Sequence, residues 1–362
     1  MRFLKPALLI LAFILLAGAV ARTVFSVQIG EAVFRAAVKK NVGRSALDGL
    51  SPDARDGLTV VLVGTGSPLP DPARAGPMTV VAAGDRVFII DAGAGSGRRF
   101  GEFALPWGRV EAAFLTHFHS DHIDGLGEVM LQHWAAGGAD TPLALYGPEG
   151  VERIAAGFNE AYAQDAVYRI AHHGADIVPP SGTGAEAFPF STGGGALRVY
   201  ERDGLTVTAV PVDHSPVHPA VAYRFDFKGR SVTISGDTVK DQALIDLARD
   251  TDVLVHEALN DEMVGEIAGR LDTLGAKRLE KIMTDIPDYH TSPVQAAEAA
   301  SEAGAGLLVF THIVPAQPGR ILYPAFLKGT KKAFDGPVLM GEDGMAFILP
   351  AGSDRIDRKR LD

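Results

Sequence analysis

Three histidines and an aspartate fall within the seven residues Thr116-His117-Phe118-His119-Ser120-Asp121-His122. In an extended stretch residues two apart share a side, so His117 and His119 can reach one metal ion while the following turn swings Asp121 and His122 toward another. Imidazole nitrogens with a carboxylate oxygen are the donors of a catalytic zinc rather than of calcium or magnesium. The apolar run Val110 to Leu115 precedes the cluster and Ile123-Asp124-Gly125-Leu126-Gly127 follows it, which places it at a strand end. A polar loop is the ordinary reading of any one of these histidines. Their density beside a carboxylate points to metal instead.

Four further apolar runs lead into an acid or a histidine. Val207 to Val212 enters Asp213-His214, Val232 to Ile234 enters Ser235-Gly236-Asp237-Thr238, Val253 to Val255 enters His256-Glu257, and Leu307 to Phe310 enters Thr311-His312. Sites in sheets covered by helices form outside the carboxyl ends of strands, so these ends are expected to converge on the His117–His122 cluster. The lone Gly64-Thr65-Gly66 lacks a third glycine opening a helix and reads as a backbone turn near the site, not a nucleotide fingerprint.

The elements that must position these residues alternate short apolar runs with glycine-rich turns. Strands are predicted over 58–63, 79–83, 86–90, 197–200, 205–212, 220–227, 231–235, 252–255, 307–311, 338–340 and 345–349. Helices are predicted over 125–137, 150–163, 241–247, 260–278 and 293–303. The stretch 179–195, rich in Gly, Pro, Ser and Thr, reads as an exposed loop.

Composition bounds the chemistry. With 362 residues, 47% of them hydrophobic, the chain can bury a large core, and with no cysteine every metal ligand must be His, Asp or Glu. The net charge of −10, with no lysine between Lys40 and Lys228, argues against a general nucleic-acid binder. Arg2 and Lys5 precede the apolar run Ala7 to Val20, and Ala19-Val20-Ala21 fits a small-x-small cleavage site, so residues 1–27 read as a signal peptide or membrane anchor. Positive charge ahead of that run directs the rest of the chain out of the cytoplasm, giving a periplasmic or secreted protein, or one anchored by residues 7–27. Residues 28–57 read as an amphipathic helix over 30–40 and a linker, residues 58–350 as the catalytic domain and 351–362 as a polar tail.

Taken together, Gly64-Thr65-Gly66-Ser67, Asp91-Ala92-Gly93, the His117–His122 cluster, Ser235-Gly236-Asp237-Thr238, His256-Glu257-Ala258, His290-Thr291-Ser292 and Thr311-His312 resemble the metallo-β-lactamase superfamily. Within it they resemble ribonuclease Z and its secreted arylsulfatase-like and phosphodiesterase relatives. The resemblance, over about Leu58 to Leu349, implies an α/β fold, a four-layer αββα sandwich. It implies two zinc ions per chain, one held by His117, His119 and His214, the other by Asp121, His122 and His312, with Asp237 bridging. Such a pair can supply hydroxide at neutral pH and offset charge at an attacked phosphorus, sulfur or carbonyl centre. It implies that Asp91 orients a ligand imidazole. It also makes Asp121, Glu257 and His290 the candidate catalytic residues, with Glu257 and His290 as a pair assisting the leaving group. A helix-cap pair is the structural alternative for His256 and Glu257. His218 and His173 are candidate substrate contacts; His133 and His172 fit no ligand position.

The expectation is therefore an exported dinuclear-zinc hydrolase of small anionic esters, aryl sulfates or phosphodiesters, without a nucleic-acid partner. Attachment to a membrane through the N-terminus and a homodimer are both compatible with it. The alternatives are a ribonuclease Z that processes tRNA 3′ ends, a lactonase, and a metal-binding protein without turnover. Against the tRNA enzyme stand the export signal and the absence, between Gly150 and Val212, of the Gly/Pro-rich basic arm that those enzymes use.

Overall fold

The computed structural model describes residues 4–361, and side chains from residue 11 onward except at 21, 41, 52 and 53. Part of the expected N-terminal signal, including Arg2 and the Lys5 side chain, thus lies outside the described residues. Contacts divide the chain into two units, Met1–Ser45 and Ala46–Asp362. The first unit consists of the helices Leu4–Val24 and Ser26–Asn41. No single helix among the described residues is long and apolar enough to cross a membrane; Leu11–Val24 and Ser26–Lys40, bent by 78°, pass that test only as a pair.

The second unit is a mixed α/β body with two sheets. In chain order the strands are β1 Gly57–Gly64, β2 Met78–Ala83, β3 Arg86–Ile90, β4 Val110–Phe114, β5 Leu143–Pro148, β6 Ala185–Phe190, β7 Leu197–Arg202, β8 Leu205–Pro211, β9 Val221–Phe227, β10 Arg230–Ile234, β11 Val253–Leu259, β12 Leu308–Val314, β13 Val338–Met340, β14 Met345–Pro350 and β15 Asp357–Arg360. One sheet runs β15-β14-β1-β2-β3-β4-β5-β6, the other β13-β12-β11-β10-β9-β8-β7.

Side-chain alternation along β1 shows how these sheets pack. Leu58, Val60 and Leu62 point into a core shared with Val207, Tyr223, Phe225, Val232, Val255 and Val309 of the other sheet. Val61 and Val63 point the other way, into a core with Leu126, Val129, Met130 and Val151 of the helices Leu126–Ala135 and Val151–His173. On the far side of the second sheet, Leu254, Leu308 and Phe310 pack against Ala296, Ala297, Ala300 and Ala303 of the helix Pro293–Ala303. Both faces of the central strands are thereby buried, which is why β1, β2 and the starts of β11 and β12 read as near-continuous apolar runs rather than alternating ones.

Several elements differ from the sequence expectation. The supposed linker before residue 58 is part of the body: it forms the helix Ala46–Leu50 and a 3₁₀ turn Pro52–Arg55, with Leu47 and Ala54 buried. The expected loop 179–195 contains β6, which ends its sheet, where Pro189 costs no ladder hydrogen bond to a further strand. The helix predicted over 260–278 is two helices, Asp261–Thr273 and Lys277–Asp285, broken where Gly275 takes φ 69°. The helix from residue 150 runs on to His173, and the polar tail contributes β15, which pairs with β14.

Candidate metal centre

The cluster is built on the register of β3 and β4. Asp91 follows β3 in a left-handed conformation, φ 59°, and its carboxylate turns back onto the exit of β4. Oδ1 accepts from Thr116 N–H at 2.8 Å, and Oδ2 accepts from the Thr116 hydroxyl and from His122 Nδ1, both at 2.8 Å. This places a His122 proton on Nδ1 and leaves Nε2 buried with no hydrogen-bond partner among the described residues. His117 is fixed likewise, Nδ1 lying 3.0 Å from Thr116 Oγ1, and His214, beyond β8, donates from Nδ1 to the carbonyl of Tyr289 at 2.8 Å. Gly93 lets the chain close: a Cβ there would meet Asp121 O at 2.3 Å.

The second sheet supplies the opposing residues. Asp237 leaves β10 through Gly236, whose φ of 61° and close approach to Val221 O (2.8 Å from an added Cβ) require glycine. His312 does not lie beyond its strand, as the apolar run suggests, but within it. Glu257 pairs with Thr311 and Ala258 with Ile313, so His312, at φ 45°, is the extra residue of a bulge that turns its side chain inward. Non-glycine residues in this conformation cost of order 1 kcal/mol or more, and Asp91 and His312 both spend it at the centre.

The expected ligands come together in two groups. His117, His119, His214 and Asp237 have donor atoms within 4.8 Å of one another, and Asp121, His122 and His312 form a second such group. Asp237 Oδ2 lies 3.8 Å from His117 Nε2, 4.0 Å from His214 Nε2, 3.3 Å from His122 Nε2 and 3.4 Å from His312 Nε2, so its carboxylate borders both ligand groups. His119 Nδ1 faces His117 Nε2 at 3.1 Å and His214 Nε2 at 3.4 Å. Since the other ring nitrogens of His117 and His214 already hold the protons, their Nε2 lone pairs converge on His119 Nδ1. That donor set, with the unpartnered His122 Nε2 and Asp237 Oδ1, fits divalent cations.

Electrostatics favour ligation at three of the imidazoles. Burial pulls His117, His119 and His214 below the usual histidine value, favouring the neutral, ligating form. Burial also acts on His122, but the carboxylates of Asp237 and Asp91 outweigh it and raise its pKa. Burial pushes Asp237 up, yet His312, His122 and His117 together hold it well below the ordinary carboxylate value.

Glu257 and His290 meet at the edge of this cluster. Glu257 Oε1 accepts from His290 Nδ1 at 3.0 Å and from Thr291 N–H at 2.9 Å. Burial lowers the His290 pKa, but Glu257 more than compensates and the value rises to about 9. The His290 ring stacks on His312 at 5.4 Å, and with Asp237 and His312 it forms a third group of donors close enough for a metal, a proximity the sequence did not disclose. Both His256 and Glu257 lie inside β11, which excludes the helix-cap reading.

The remaining histidines stand apart. His218 is exposed, 3.0 Å from Ser215 Oγ, in an open cleft of about 630 Å³ that also includes Glu149 and Asp213. His172 and His173 end the helix Val151–His173, roughly 33 Å along its axis from the end beside Phe118. His133 is buried on the helix Leu126–Ala135. Sequence reasoning passed over Tyr289, whose carbonyl orients His214 and whose ring lies 5.2 Å from His214 and 4.9 Å from His290. Its position directly before His290 was the available signal.

Comparison with known proteins places this arrangement. The family described as the beta-lactamase superfamily domain matches residues 86–313. A ribonuclease Z of Mycobacterium bovis (strain BCG / Pasteur 1173P2) is 38% identical over 289 residues, 79% of this chain and 96% of the relative. The chain belongs to the metallo-β-lactamase superfamily, in its ribonuclease Z branch. A ribonuclease Z of Mycobacterium avium (strain 104) is 40% identical over 72% of this chain and 87% of its own length. Among solved structures, the fold is shared with a metallo-β-lactamase fold protein of Bacillus subtilis (TM-score 0.57, 20% identity, 80% of this chain and 99% of that one). It is also shared with the short form of human tRNase Z (TM-score 0.54, 20% identity, 81% and 99%). As a member of this family the chain is a metal-dependent hydrolase of ester bonds.

These relatives correct two expectations. An exported arylsulfatase-like hydrolase of small anionic esters does not fit a chain whose curated relatives, at this identity and coverage, are named ribonuclease Z. Nor does the exclusion of nucleic acid hold. It rested on net charge and on a lysine census, and neither describes the local charge that meets a phosphate. The lysine-free span carries Arg98 and Arg153, both exposed and, among the described residues, without a hydrogen-bonding or ionic side-chain partner.

Proposed function

We propose that this chain is a ribonuclease Z-type endoribonuclease that cleaves a phosphodiester bond at the 3′ side of tRNA precursors. One observation carries the reading: a complete set of ligands, with Glu257 and His290 against it, on a chain 38% identical to 96% of a ribonuclease Z. Asp121, His122 and His312 with Asp237, and His117, His119 and His214 with Asp237, would hold two zinc ions. Metal ions there supply a water-derived nucleophile at neutral pH and offset charge at the phosphorus.

The chain's own residues do the rest. Asp91 and the Tyr289 carbonyl keep His122 and His214 in the tautomers that present Nε2 to the centre. Glu257 holds the His290 proton on Nδ1 and stabilises the charged ring, so that Nε2–H can be delivered to the leaving ribose oxygen. The stretch from Gly150 to Phe190 folds as the helix Val151–His173 and β6, so the phosphate grip is sought elsewhere. Arg98 stands in the first turn of the helix Ser96–Glu102, shortly after Gly93, and Arg153 in the first turn of Val151–His173, where Gly150 adjoins Phe118. Each of these helices follows a glycine, Gly93 or Gly150, that packs against the metal-binding loop.

The test is cleavage of a precursor tRNA bearing a 3′ trailer by the purified zinc-loaded chain. A single cut at the trailer junction that His290→Ala suppresses supports the reading. Hydrolysis of small phosphodiesters with the precursor left intact would reject it.

A further inference from the structure

Of the 24 large apolar side chains exposed among the described residues, fourteen lie between Leu11 and Val42. They do not form one uniform surface. In the helix Leu4–Val24 they run in near-continuous order: Leu11, Phe13, Ile14, Leu15, Leu16, Val20 and Val24 are each at least half exposed. In the helix Ser26–Asn41 they are sorted. Val27, Val33, Phe34 and Val38, with Gly30 and Ala37 between them, fall on one face and Gln28, Glu31, Arg35 and Lys39 on the other, while Ile29 and Lys40 lie on a flank between the two. An all-round apolar helix meeting an amphipathic one at a 78° bend is the geometry of a segment that enters a bilayer and then turns along its surface.

Charge identifies the surface and the side. The amphipathic helix ends in Lys39 and Lys40 and carries Arg35, with Glu31 as the one acid of its sequence, so it complements anionic headgroups. Within 20 residues of the end of the apolar run at Val20, Arg22, Arg35, Lys39 and Lys40 follow it, whereas Arg2 and Lys5 precede it. Basic residues near an apolar segment stay on the cytoplasmic side, and the more basic flank sets the orientation. Arg2 and Lys5 alone argue for export; the count over both flanks argues the reverse.

We propose that residues 11–42 seat this chain on an anionic lipid surface, with Leu4–Val24 entering the bilayer, Ser26–Asn41 lying along it, and the catalytic unit retained on the cytoplasmic face. This inference stands independently of the ribonuclease reading, since no residue of the metal centre enters it. It does remove the compartment objection to an RNA substrate.

The experiment uses the full chain. Fused at its C-terminus to green fluorescent protein, which fluoresces only when folded in the cytoplasm, it should fluoresce in the membrane fraction and resist a high-salt wash. Fused to alkaline phosphatase, which needs an oxidising compartment, it should be inactive. The purified chain should partition onto phosphatidylcholine vesicles containing 30% phosphatidylglycerol at least tenfold more strongly than the triple variant Arg35→Glu, Lys39→Glu, Lys40→Glu. The two should bind pure phosphatidylcholine alike. Active alkaline phosphatase, or a mature chain lacking residues before 28, would overturn the cytoplasmic orientation. A chain that stays soluble, including one that hides its apolar helices in an oligomer, would overturn the lipid assignment. Equal binding of both chains to anionic vesicles would overturn the role given to these basic residues.

Discussion

The Asp91 carboxylate accepts a 2.8 Å hydrogen bond from His122 Nδ1 while its two oxygens also hold the main chain and hydroxyl of Thr116. One side chain therefore sets both a ligand's tautomer and the loop that delivers the other ligands. Asp91→Ala is expected to weaken metal affinity by about 10- to 100-fold, the usual effect of losing such a partner. Titration of the metal-free variant with zinc against a competing chelator measures it; unchanged affinity would show that Thr116 alone suffices.

Replacing Asp237 should be more severe. Its Oδ2 lies within 4.0 Å of a nitrogen from both ligand groups, so Asp237→Ala should drop bound metal from about two ions per chain to fewer than one and abolish turnover. Metal analysis after desalting is the check, and retention of both ions would show that another residue bridges.

His290 offers a test that separates chemistry from structure. Its Nδ1 is occupied by Glu257, and its Nε2 is the donor left for a leaving oxygen. His290→Ala should keep the metals but slow cleavage of a ribose leaving group by about 10²-fold or more, and affect a nitrophenolate, which needs little protonation, far less. Equal slowing of both substrates would assign His290 a packing role.

Arg98 and Arg153 should act on binding and leave the chemical step alone. Each contact to an RNA phosphate releases counterions, so Arg98→Ala and Arg153→Ala should each raise KM and reduce the slope of log affinity against log salt by about one. Neither should change the rate at saturating substrate. An unaltered salt slope would remove both arginines from the interface.

Acid stability should report on Glu342. Hydrogen bonding from Arg320 leads the effects that, against partial burial and with help from Arg360 and Tyr323, bring its carboxyl down to about 2 from 4.5. A depressed folded value means stability present in full above pH 4.5 and lost as pH falls toward 2. Because the Arg320 side chain is 70% exposed, the effect is of order 1 kcal/mol rather than the full shift. Glu342→Gln should lower Tm near neutrality and converge with the unmodified chain near pH 2; a gap of constant size would refute the linkage.

Much of the fold was legible because the central strands are buried on both faces, which turns them into near-continuous apolar runs with sharp ends. The ligands were legible because they stand at or near those ends. What escaped depends on pairing. The segment Ala185–Phe190 is a strand only because β5 lies beside it, and its Pro189 and polar flanks hid that. The inward aim of His312 comes from a register shift against β11, which no single-strand pattern contains. Tyr289 matters through a carbonyl, a group every residue possesses. Substrate was the least legible, because one ligand set serves many esters, and counting lysines overlooked isolated arginines beside the loop.

The pairing of β1 carries a consequence for how the protein is made. This strand is buried along its whole length and lies between β2, its near neighbour in sequence, and β14, which starts at Met345. During synthesis one edge of β1 therefore waits, unpaired, while nearly three hundred residues are translated. A chain stalled or truncated before Met345 keeps an open apolar strand edge, the kind that captures other chains. Emergence of the last strands from the ribosome is thus the event that closes the first sheet, and a nascent chain would depend on holding factors until then.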